Sequence, residues 1–329
     1  MWITDRRVVC GLSLLACLLW GSAYPAIKTG YVLFAIGPDD TAGKFLFAGY
    51  RFFAAGLILI GFCAATGRRA KVFRLSAGLF GRLAVLGLGM TTLQYVFFYI
   101  GLSHTSGVKG AIMNGTTTFF SVLAAHFVFK AERLTRRVVA GCVIGFLGVI
   151  FVNFRGDLLD LHFTLTGEGF LVIAAAVLAV SGVYGKVISQ GMDSVVMTAW
   201  QLGIGGAILI VTGYVMGGSL TGFAPGSTAL LVYMALLSSA SFAIMATLLK
   251  YNPVSLFSIF QFTVPIFGTA LSALFLGETL LEWKNLVALV CVCIGIFLVT
   301  YVNANVNVNV SVSGNGNVSG SGNGTAKAR

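Results

Sequence analysis

The chain has 329 residues, of which 57% are hydrophobic and only 9% are charged, and its mean hydropathy is +0.94. Water-soluble domains carry roughly 25% charged residues, so this composition excludes a water-soluble enzyme or nucleic-acid binder. The net charge of +11 instead indicates membrane orientation, because Lys and Arg concentrate in the cytoplasmic loops of membrane proteins. We therefore expect the lipid bilayer, and no nucleic acid, as a partner.

Ten apolar runs follow one another along the chain, each close to the roughly 20 residues that a membrane-spanning helix needs. They cover residues 8–28, 45–66, 79–102, 107–130, 137–154, 168–189, 194–217, 228–249, 254–276 and 284–302. Lipid offers backbone groups no hydrogen-bond partner, so runs of this length must be helical, whereas barrel strands are short and alternating. The predicted fold class is all-α: a polytopic membrane protein with ten transmembrane helices.

The first run has some features of a cleavable signal peptide, since Arg6 and Arg7 precede it and the small residues 21–23 occur within it. However, the run continues to about Ile27 and includes Trp20, so it is longer than the apolar part of a typical signal peptide. We expect a retained helix.

The basic residues predict the orientation of the helices. With a cytoplasmic N-terminus, Arg68, Arg69, Lys71 and Arg74 lie in a cytoplasmic loop, as do most of the other Lys and Arg residues. An even number of crossings then returns the C-terminus to the same side. We expect a multi-pass protein of the cell (plasma or inner) membrane with both termini cytoplasmic.

Residues 303–329 differ in composition from the apolar runs. Asn and Val alternate from Asn303 to Val312, and Gly, Ser and Asn dominate the remainder. The alternation has the period of a strand but no core to join, so the sequence predicts a flexible, low-complexity cytoplasmic tail.

The six cysteines all fall inside apolar runs, where a free Cys behaves as a small hydrophobic residue. Cys291 and Cys293 are two residues apart and point to different faces of a helix, which makes a poor metal pair. We expect no disulfide, no metal site and no cofactor.

Two segments, 127–134 and 273–280, resemble each other at an offset of 146 residues, and each contains a Glu, Glu132 or Glu278, beside a short loop. Ten helices divide into a first half over 1–155 and a second half over 156–302, followed by the tail. A repeated unit with an odd number of helices enters the membrane in the opposite direction the second time, so the sequence predicts an inverted pair.

The motifs of the chain, in order, resemble those of a known family. They are Leu19-Trp20-Gly21-Ser22 with Lys28, Tyr50-Arg51-Phe52, Tyr99-Ile100-Gly101-Leu102, the segment 129–134, and Asn252-Pro253-Val254 through Pro265 to Leu276-Gly277-Glu278-Thr279-Leu280. Together they are similar to those of EamA-type members of the drug/metabolite transporter superfamily, over residues 8 to 301. One departure is Phe119, which stands at the position matching Pro265 and puts a helix kink there in doubt.

This resemblance implies a basket of ten helices in which helices 1–4 and 6–9 surround a central cavity and helices 5 and 10 lie at the periphery. It implies a secondary transporter, often an exporter, of a small organic solute such as an amino acid. It does not name the solute.

Uncharged polar and aromatic residues within the runs are the candidate substrate-binding residues. A buried Asn or Gln facing lipid would leave donors unsatisfied, so such groups should face protein or water. The candidates are Trp20, Tyr24, Gln94, Phe98, Asn114, Thr117, Tyr184, Gln201, Ser241, Gln261 and Pro265. The competing interpretation is that they only join helices or pack in the core, which is common for single polar residues in membranes.

Charged residues are almost absent from the middle of the runs. Lys28 and Arg51 fall near predicted outer ends, where the family pattern favours a gating or mouth role and snorkelling to the interface is the alternative. Glu132 and Glu278 are interpreted as a gate or, preferably, as helix-end contacts. No Asp or Glu lies mid-helix to serve as a proton relay.

Three classes of function are weighed on these residues. We predict a secondary transporter, monomeric or homodimeric, with alternating access at a central cavity and without direct use of ATP, because no Walker-type phosphate loop is present. A flippase of a lipid-linked or sugar-derived substrate is the alternative. An intramembrane enzyme is remote, because His104, His126 and His162 are dispersed and form no metal or catalytic motif.

Overall fold

The computed structural model describes residues 5–128, 135–152, 163–251, 259–279 and 282–316. Helices form the regular structure of these ranges, and no strand occurs within them. The all-α class predicted from the apolar runs is confirmed.

The helices are separated by short loops and are extended at several points by single turns. They are α1 (Arg6–Leu33), α2 (Thr41–Cys63), α3 (Arg69–Phe73), α4 (Ala77–Gly87), α5 (Gln94–Ser103), α6 (Gly107–Asn114), α7 (Thr116–Val128), α8 (Arg136–Phe151), α9 (Phe170–Ser189), α10 (Ser194–Val215), α11 (Pro225–Tyr251), α12 (Thr263–Leu276) and α13 (Trp283–Gly316). π-Helical turns at Leu88–Leu93 and Leu165–Gly169 and a 3-10 turn at Ile259–Phe262 adjoin them, and Ala64–Arg68 forms a kink between α2 and α3 in which Gly67 has a φ of 76°.

Short polar side chains set the starts of several helices. The carboxylate of Asp5 accepts a hydrogen bond from the backbone of Arg7 at the start of α1, and Asp40 and Asp193 cap α2 and α10 in the same way. These bonds satisfy N–H groups that have no partner inside the helix. Gly277 ends α12 at a φ of 65°, a left-handed conformation that glycine adopts without strain.

Six helical segments of the described chain are long and apolar enough to cross a membrane. They are Arg7–Leu33, Thr41–Arg68, Ala77–Ser103, Leu165–Ser189, Ser194–Val215 and Pro225–Leu248. Phe260–Leu276 and Trp283–Val299 are shorter apolar helices. The other predicted runs coincide with α6 and α7 and with α8. The chain is therefore a multi-pass membrane protein.

The last helix is longer than the sequence predicts. The tail was expected to be flexible from residue 303, whereas α13 continues to Gly316. No proline interrupts this stretch, so a helix nucleated in the apolar part can be extended one hydrogen bond at a time. Residues 317–329 of the predicted tail lie outside the described ranges.

The helices pack in a small set of pairs. The most extensive pairs are α2 with α10 and α8 with α13, and α1 packs against both α11 and α12. α9 packs against α5 and α7. Glycines bring the backbones of the first two pairs close together: a Cβ built on Gly56 of α2 would lie 2.5 Å from the nitrogen of Gly203 in α10, and one on Gly141 of α8 would lie 2.8 Å from the carbonyl oxygen of Gly295 in α13.

Loops meet at two opposite ends of the bundle, which we name after residues found there. At the Glu278 end, Phe34 after α1 contacts Phe223 before α11 edge to face, and Phe151 at the end of α8 contacts Trp283 at the start of α13. At the Arg68 end, Arg68 after α2 pairs with Asp193 before α10 at 3.6 Å. Successive helices therefore run in opposite directions between the two ends, as in a chain that crosses a membrane several times.

Candidate functional site

A cavity lies inside the bundle, with a volume of about 250 Å³. This is close to the lower end of the range of about 300–1,000 Å³ that is usual for small-molecule sites. Its lining comes from α1, α2, α5, α6, α7, α9, α11, α12 and α13, together with Met90 and Gln261 of the adjoining turns.

Aromatic rings form much of the cavity wall. Trp20 of α1 contacts Phe242 of α11 edge to face, with ring centroids 5.7 Å apart. Phe98 of α5 contacts both Tyr24 and Tyr95 in the same manner, at 5.8 and 5.9 Å. Such contacts fix the rings in place, so the wall offers a rigid apolar surface to a ligand.

Amide and hydroxyl groups interrupt this apolar wall. Gln94 is only 2% exposed, and its side-chain oxygen Oε1 has no hydrogen-bond partner in the described part of the chain. Asn114 Oδ1 accepts a bond of 3.4 Å from Thr117 Oγ1, one turn further along the chain. Gln261 lines the cavity from the turn that precedes α12. Each of these groups offers a hydrogen-bonding position to a ligand.

Arg51 is the cationic residue of the cavity lining. It is only 2% exposed, and its Nε donates to Ser238 Oγ of α11 at 2.8 Å while Nη1 donates to Tyr99 Oη of α5 at 3.1 Å. The guanidinium carbon also lies 4.7 Å from the centroid of the Phe52 ring. No carboxylate lies within 4.0 Å of Arg51 among the described residues.

The structure brings most of the predicted substrate-binding residues together. Those that line the cavity are Trp20, Tyr24, Gln94, Phe98, Asn114, Thr117, Gln261 and Pro265. Phe119, which replaces a proline at the repeat position of Pro265, instead packs on Phe146 of α8 with centroids 5.3 Å apart.

Three predicted residues lie outside the cavity lining. Gln201 of α10 donates from Nε2 to Thr91 Oγ1 at 2.9 Å, and Ser241 of α11 bonds the carbonyl oxygen of Leu237 in its own helix at 2.7 Å. Tyr184 of α9 packs on a separate apolar cluster that contains Leu83. Their contacts join helices or stay within one helix.

The two predicted mouth residues occupy different surroundings. Arg51 lies in the cavity wall rather than at its entrance, because α2 begins at Thr41 and ten residues of helix precede the arginine. Lys28 of α1 lies within electrostatic range of Glu278 at the Glu278 end.

Polar groups at the Glu278 end link the two halves of the chain. Both carboxylate oxygens of Glu278 accept backbone hydrogen bonds at the start of α6, from Gly107 at 2.8 Å and from Val108 at 2.7 Å. Beside them, Lys109 Nζ lies 2.6 Å from Glu168 Oε1. We call these two contacts the Glu278 cap and the Lys109–Glu168 pair. Glu132, the counterpart of Glu278 in the repeat, lies outside the described residues.

Sequence reasoning did not single out several of these groups. Lys109 and Glu168 are 59 residues apart in the sequence, and their pairing depends on tertiary structure. Tyr95 and Phe242 stand among many aromatic residues in apolar runs, and nothing in their spacing marks them as cavity residues. Thr118 is four residues after Asn114, a spacing that places two residues on the same face of a helix. Since Asn114 was predicted to bind substrate, this spacing could have identified Thr118 as a second cavity residue.

The described residues contain no group of three or more His, Cys, Asp or Glu side chains placed to hold a metal ion.

The chain is similar to proteins of one family over nearly its whole length. The family model described as the EamA-like transporter family matches residues 8–154 and again residues 165–301. A WAT1-related chloroplastic protein of Arabidopsis thaliana is 26% identical over 79% of this chain, which spans 62% of that longer relative. The uncharacterized inner membrane transporter YedA of Escherichia coli is 27% identical over 83% of this chain and 85% of its own length.

A solved crystal structure shares the fold. It superposes with a TM-score of 0.65 at 17% identity and covers 91% of this chain and 99% of its own.

Proposed function

Because the chain belongs to the EamA-like transporter family, we propose that it is a secondary transporter of a small organic metabolite, such as an amino acid or related solute, working by alternating access. The observation that carries this proposal is the central cavity, since both segments matched by the family contribute to its wall. A site between two halves is accessible from alternate sides when the halves rock against each other.

The packing pattern supports two inverted five-helix halves. Counted by predicted crossings, α1 corresponds to α9, α2 to α10, α4 and α5 to α11, α6 and α7 to α12, and α8 to α13. Under this exchange the pairs α2–α10 and α8–α13 map onto themselves, while α1–α12 maps onto α9–α7 and α1–α11 onto α9–α5. These correspondences support a two-fold arrangement of the halves, and a half with five crossings would place the second half in the inverted orientation.

The Glu278 end supports a closed gate on one side of the cavity. By the distribution of basic residues this end faces outward, and the Glu278 cap ties α12 of the second half to α6 of the first. The Lys109–Glu168 pair joins the two halves at the same end. We propose that this is the state in which a cytoplasmic solute is loaded and that export requires both contacts to break.

The cavity volume favours a small solute over the alternative substrate class. A lipid-linked substrate would need a lateral opening toward the bilayer, whereas a cavity of about 250 Å³ is close to the size of small-molecule sites. We therefore place a flippase second.

Solute counterflow in proteoliposomes tests the proposal. Purified protein is reconstituted into vesicles preloaded with one unlabelled solute from a panel of amino acids, other carboxylates, polyamines, nucleosides and sugars, and uptake of the labelled solute is followed. We expect counterflow of at least one solute above that of protein-free vesicles. No counterflow across the whole panel contradicts the proposal.

A further inference from the structure

We propose that Arg51 is an anion-binding group in the central cavity and that the transported solute is a carboxylate with an N–H donor and an aromatic or bulky apolar body. This inference rests on the proposed function and specifies the chemistry of the same site.

The depth of Arg51 is the first step. It follows ten residues of α2, which at 1.5 Å per residue is about 15 Å along the helix from its start at Thr41. A charged side chain within an apolar membrane-spanning segment is costly and rare without a role. With 2% exposure, the side chain is held inside the protein.

The neutral surroundings of the charge are the second step. Buried charges are normally paired with an opposite charge, yet the hydrogen-bond acceptors of Arg51 are hydroxyl groups, on Ser238 and Tyr99. These bonds use two of the five guanidinium N–H groups. The guanidinium is thus oriented by the protein while donors remain for a ligand in the cavity that it lines. A guanidinium is suited to bind a carboxylate by two parallel hydrogen bonds.

The unpaired oxygen of Gln94 is the third step. A buried acceptor without a partner is costly, and Gln94 Oε1 has none in the described part of the chain. Gln94 lines the same cavity as Arg51. An ammonium or amide N–H of the ligand would satisfy this oxygen, so the cavity combines a donor group for an anion with an acceptor for an N–H.

The aromatic wall is the fourth step. Trp20, Tyr24, Phe98 and Phe242 line the cavity, and the lining exposes far more carbon than polar surface. The part of the solute away from its charged groups must therefore be apolar or aromatic. An α-amino acid with a large apolar side chain meets all of these requirements within the available volume.

Four probes that share one phenyl ring dissect this site on the wild-type protein. They are phenylalanine, 3-phenylpropanoate, phenylalaninamide and 2-phenylethylamine, and their binding to purified protein is measured by thermal stabilisation and calorimetry. We expect the two carboxylates to bind at least tenfold more tightly than the two compounds without one. Equal or tighter binding of the amine or amide overturns the proposal.

Variants of two buried cationic residues in α2 test whether carboxylate binding depends on Arg51. We expect Arg51→Gln to weaken binding of both carboxylates at least tenfold and to leave 2-phenylethylamine binding within twofold of the wild type. Lys44→Gln is the matched control, since Lys44 is buried but bonds the carbonyl oxygen of Pro38 outside the cavity lining. Unchanged carboxylate binding in Arg51→Gln overturns the proposal, as does an equal loss in Lys44→Gln.

A wider series of carboxylates, from acetate to indole-3-propanoate, is tested in the same thermal-stabilisation assay, in case the solute is smaller or larger than the phenyl probes. If no carboxylate stabilises the protein while neutral or cationic solutes do, or if nothing stabilises it, the anion site is wrong. Failure of transport has a different signature: Arg51-dependent binding of a carboxylate without counterflow contradicts the transporter and leaves the anion site standing. Counterflow of cationic solutes alone would support the transporter and contradict the anion site.

Discussion

Two buried glutamines, Gln94 and Gln201, have the same residue type and the same 2% exposure but different surroundings. Gln201 donates to Thr91 and thereby joins α10 to the turn before α5. Gln94 has an unpaired oxygen and lines the cavity. We therefore expect Gln201 to contribute mainly to stability and Gln94 to ligand binding, because Gln94 Oε1 is an unpaired acceptor on a residue that lines the cavity.

Substitution of these glutamines separates the two roles. We expect Gln94→Leu to reduce solute flux at least tenfold with little loss of thermal stability, since an unpaired buried acceptor is removed. Gln201→Leu should retain flux per folded molecule but lose about 1–3 kcal/mol of stability, the usual cost of breaking a buried hydrogen bond. Counterflow and thermal unfolding in the same detergent measure both.

Equal effects of the two substitutions on flux would contradict the assignment. Asn114→Ala, which alters another residue of the cavity lining, is expected to reduce flux without reducing expression. Normal flux in both Gln94→Leu and Asn114→Ala would move the binding site elsewhere.

At the scale of elements, the start of α6 depends on a side chain from the other half of the protein. The first N–H groups of a helix have no partner within it, and the positive end of its dipole favours an anion. The carboxylate of Glu278 satisfies two of these groups. In the proposed transport cycle, these two charge-assisted hydrogen bonds would break together when α12 moves away from α6.

Weakening the Glu278 cap should open the outer side. Glu278→Gln removes the charge and one acceptor, a loss of about 1–2 kcal/mol, so the open population should rise roughly 5- to 30-fold. The measurement is the labelling rate of Thr118→Cys in the cavity by an impermeant maleimide added outside, in a background without the native cysteines.

Glu282→Gln is the control for this experiment, because Glu282 accepts an exposed bond from Thr279 Oγ1 at 3.1 Å and does not cap α6. We expect it to label at the rate of the parent protein. If Glu278→Gln labels no faster than Glu282→Gln, the cap is not a gate.

Close backbone packing gives the second prediction at this scale. In α2, a Cβ on Gly56 would meet the backbone of Gly203, whereas one on Gly61 would meet nothing within 4 Å. We expect Gly56→Ala to destabilise the protein by about 1–3 kcal/mol through overpacking. Gly61→Ala should be neutral or stabilise by up to about 1 kcal/mol, because alanine favours a helix.

Thermal unfolding in lipid nanodiscs compares these two variants directly. A Gly56→Ala protein as stable as Gly61→Ala would mean that α2 and α10 are not in close contact in the bilayer.

For the whole molecule, inversion of the second half has a simple geometric consequence. The loop after α1 and the loop after α9 each follow the first helix of a half, so they are equivalent positions in the repeat. If the second half is inverted, these two loops should lie on opposite sides of the membrane. We expect Asp39→Cys to be labelled from outside in intact cells and Gln190→Cys only after permeabilisation. A fluorescent reporter at the C-terminus should lie in the cytoplasm.

Labelling of both positions from the same side would contradict the inverted arrangement. A C-terminal reporter outside the cell would contradict an even number of crossings.

The sequence by itself determined the class of the molecule. Long apolar runs in a chain with few charges require helices in lipid, and the described residues are helical at each predicted run. It also pointed to eight of the cavity residues, because polar groups at helical spacing share a face and must avoid lipid. These are properties of single helices, which local pattern and solvent decide.

Only the tertiary structure decided which polar residues share a cavity. Gln94 and Gln201 are equivalent as sequence, and their partners come from other helices. Arg51 was expected at a mouth and lies in the wall, because the start of α2 and its contacts with Tyr99 and Ser238 set its depth. Glu278 and Gly107 are brought together by the packing of α12 on α6. Periodicity along a helix fixes which face a residue occupies, whereas the identity of the opposing group depends on how distant segments pack.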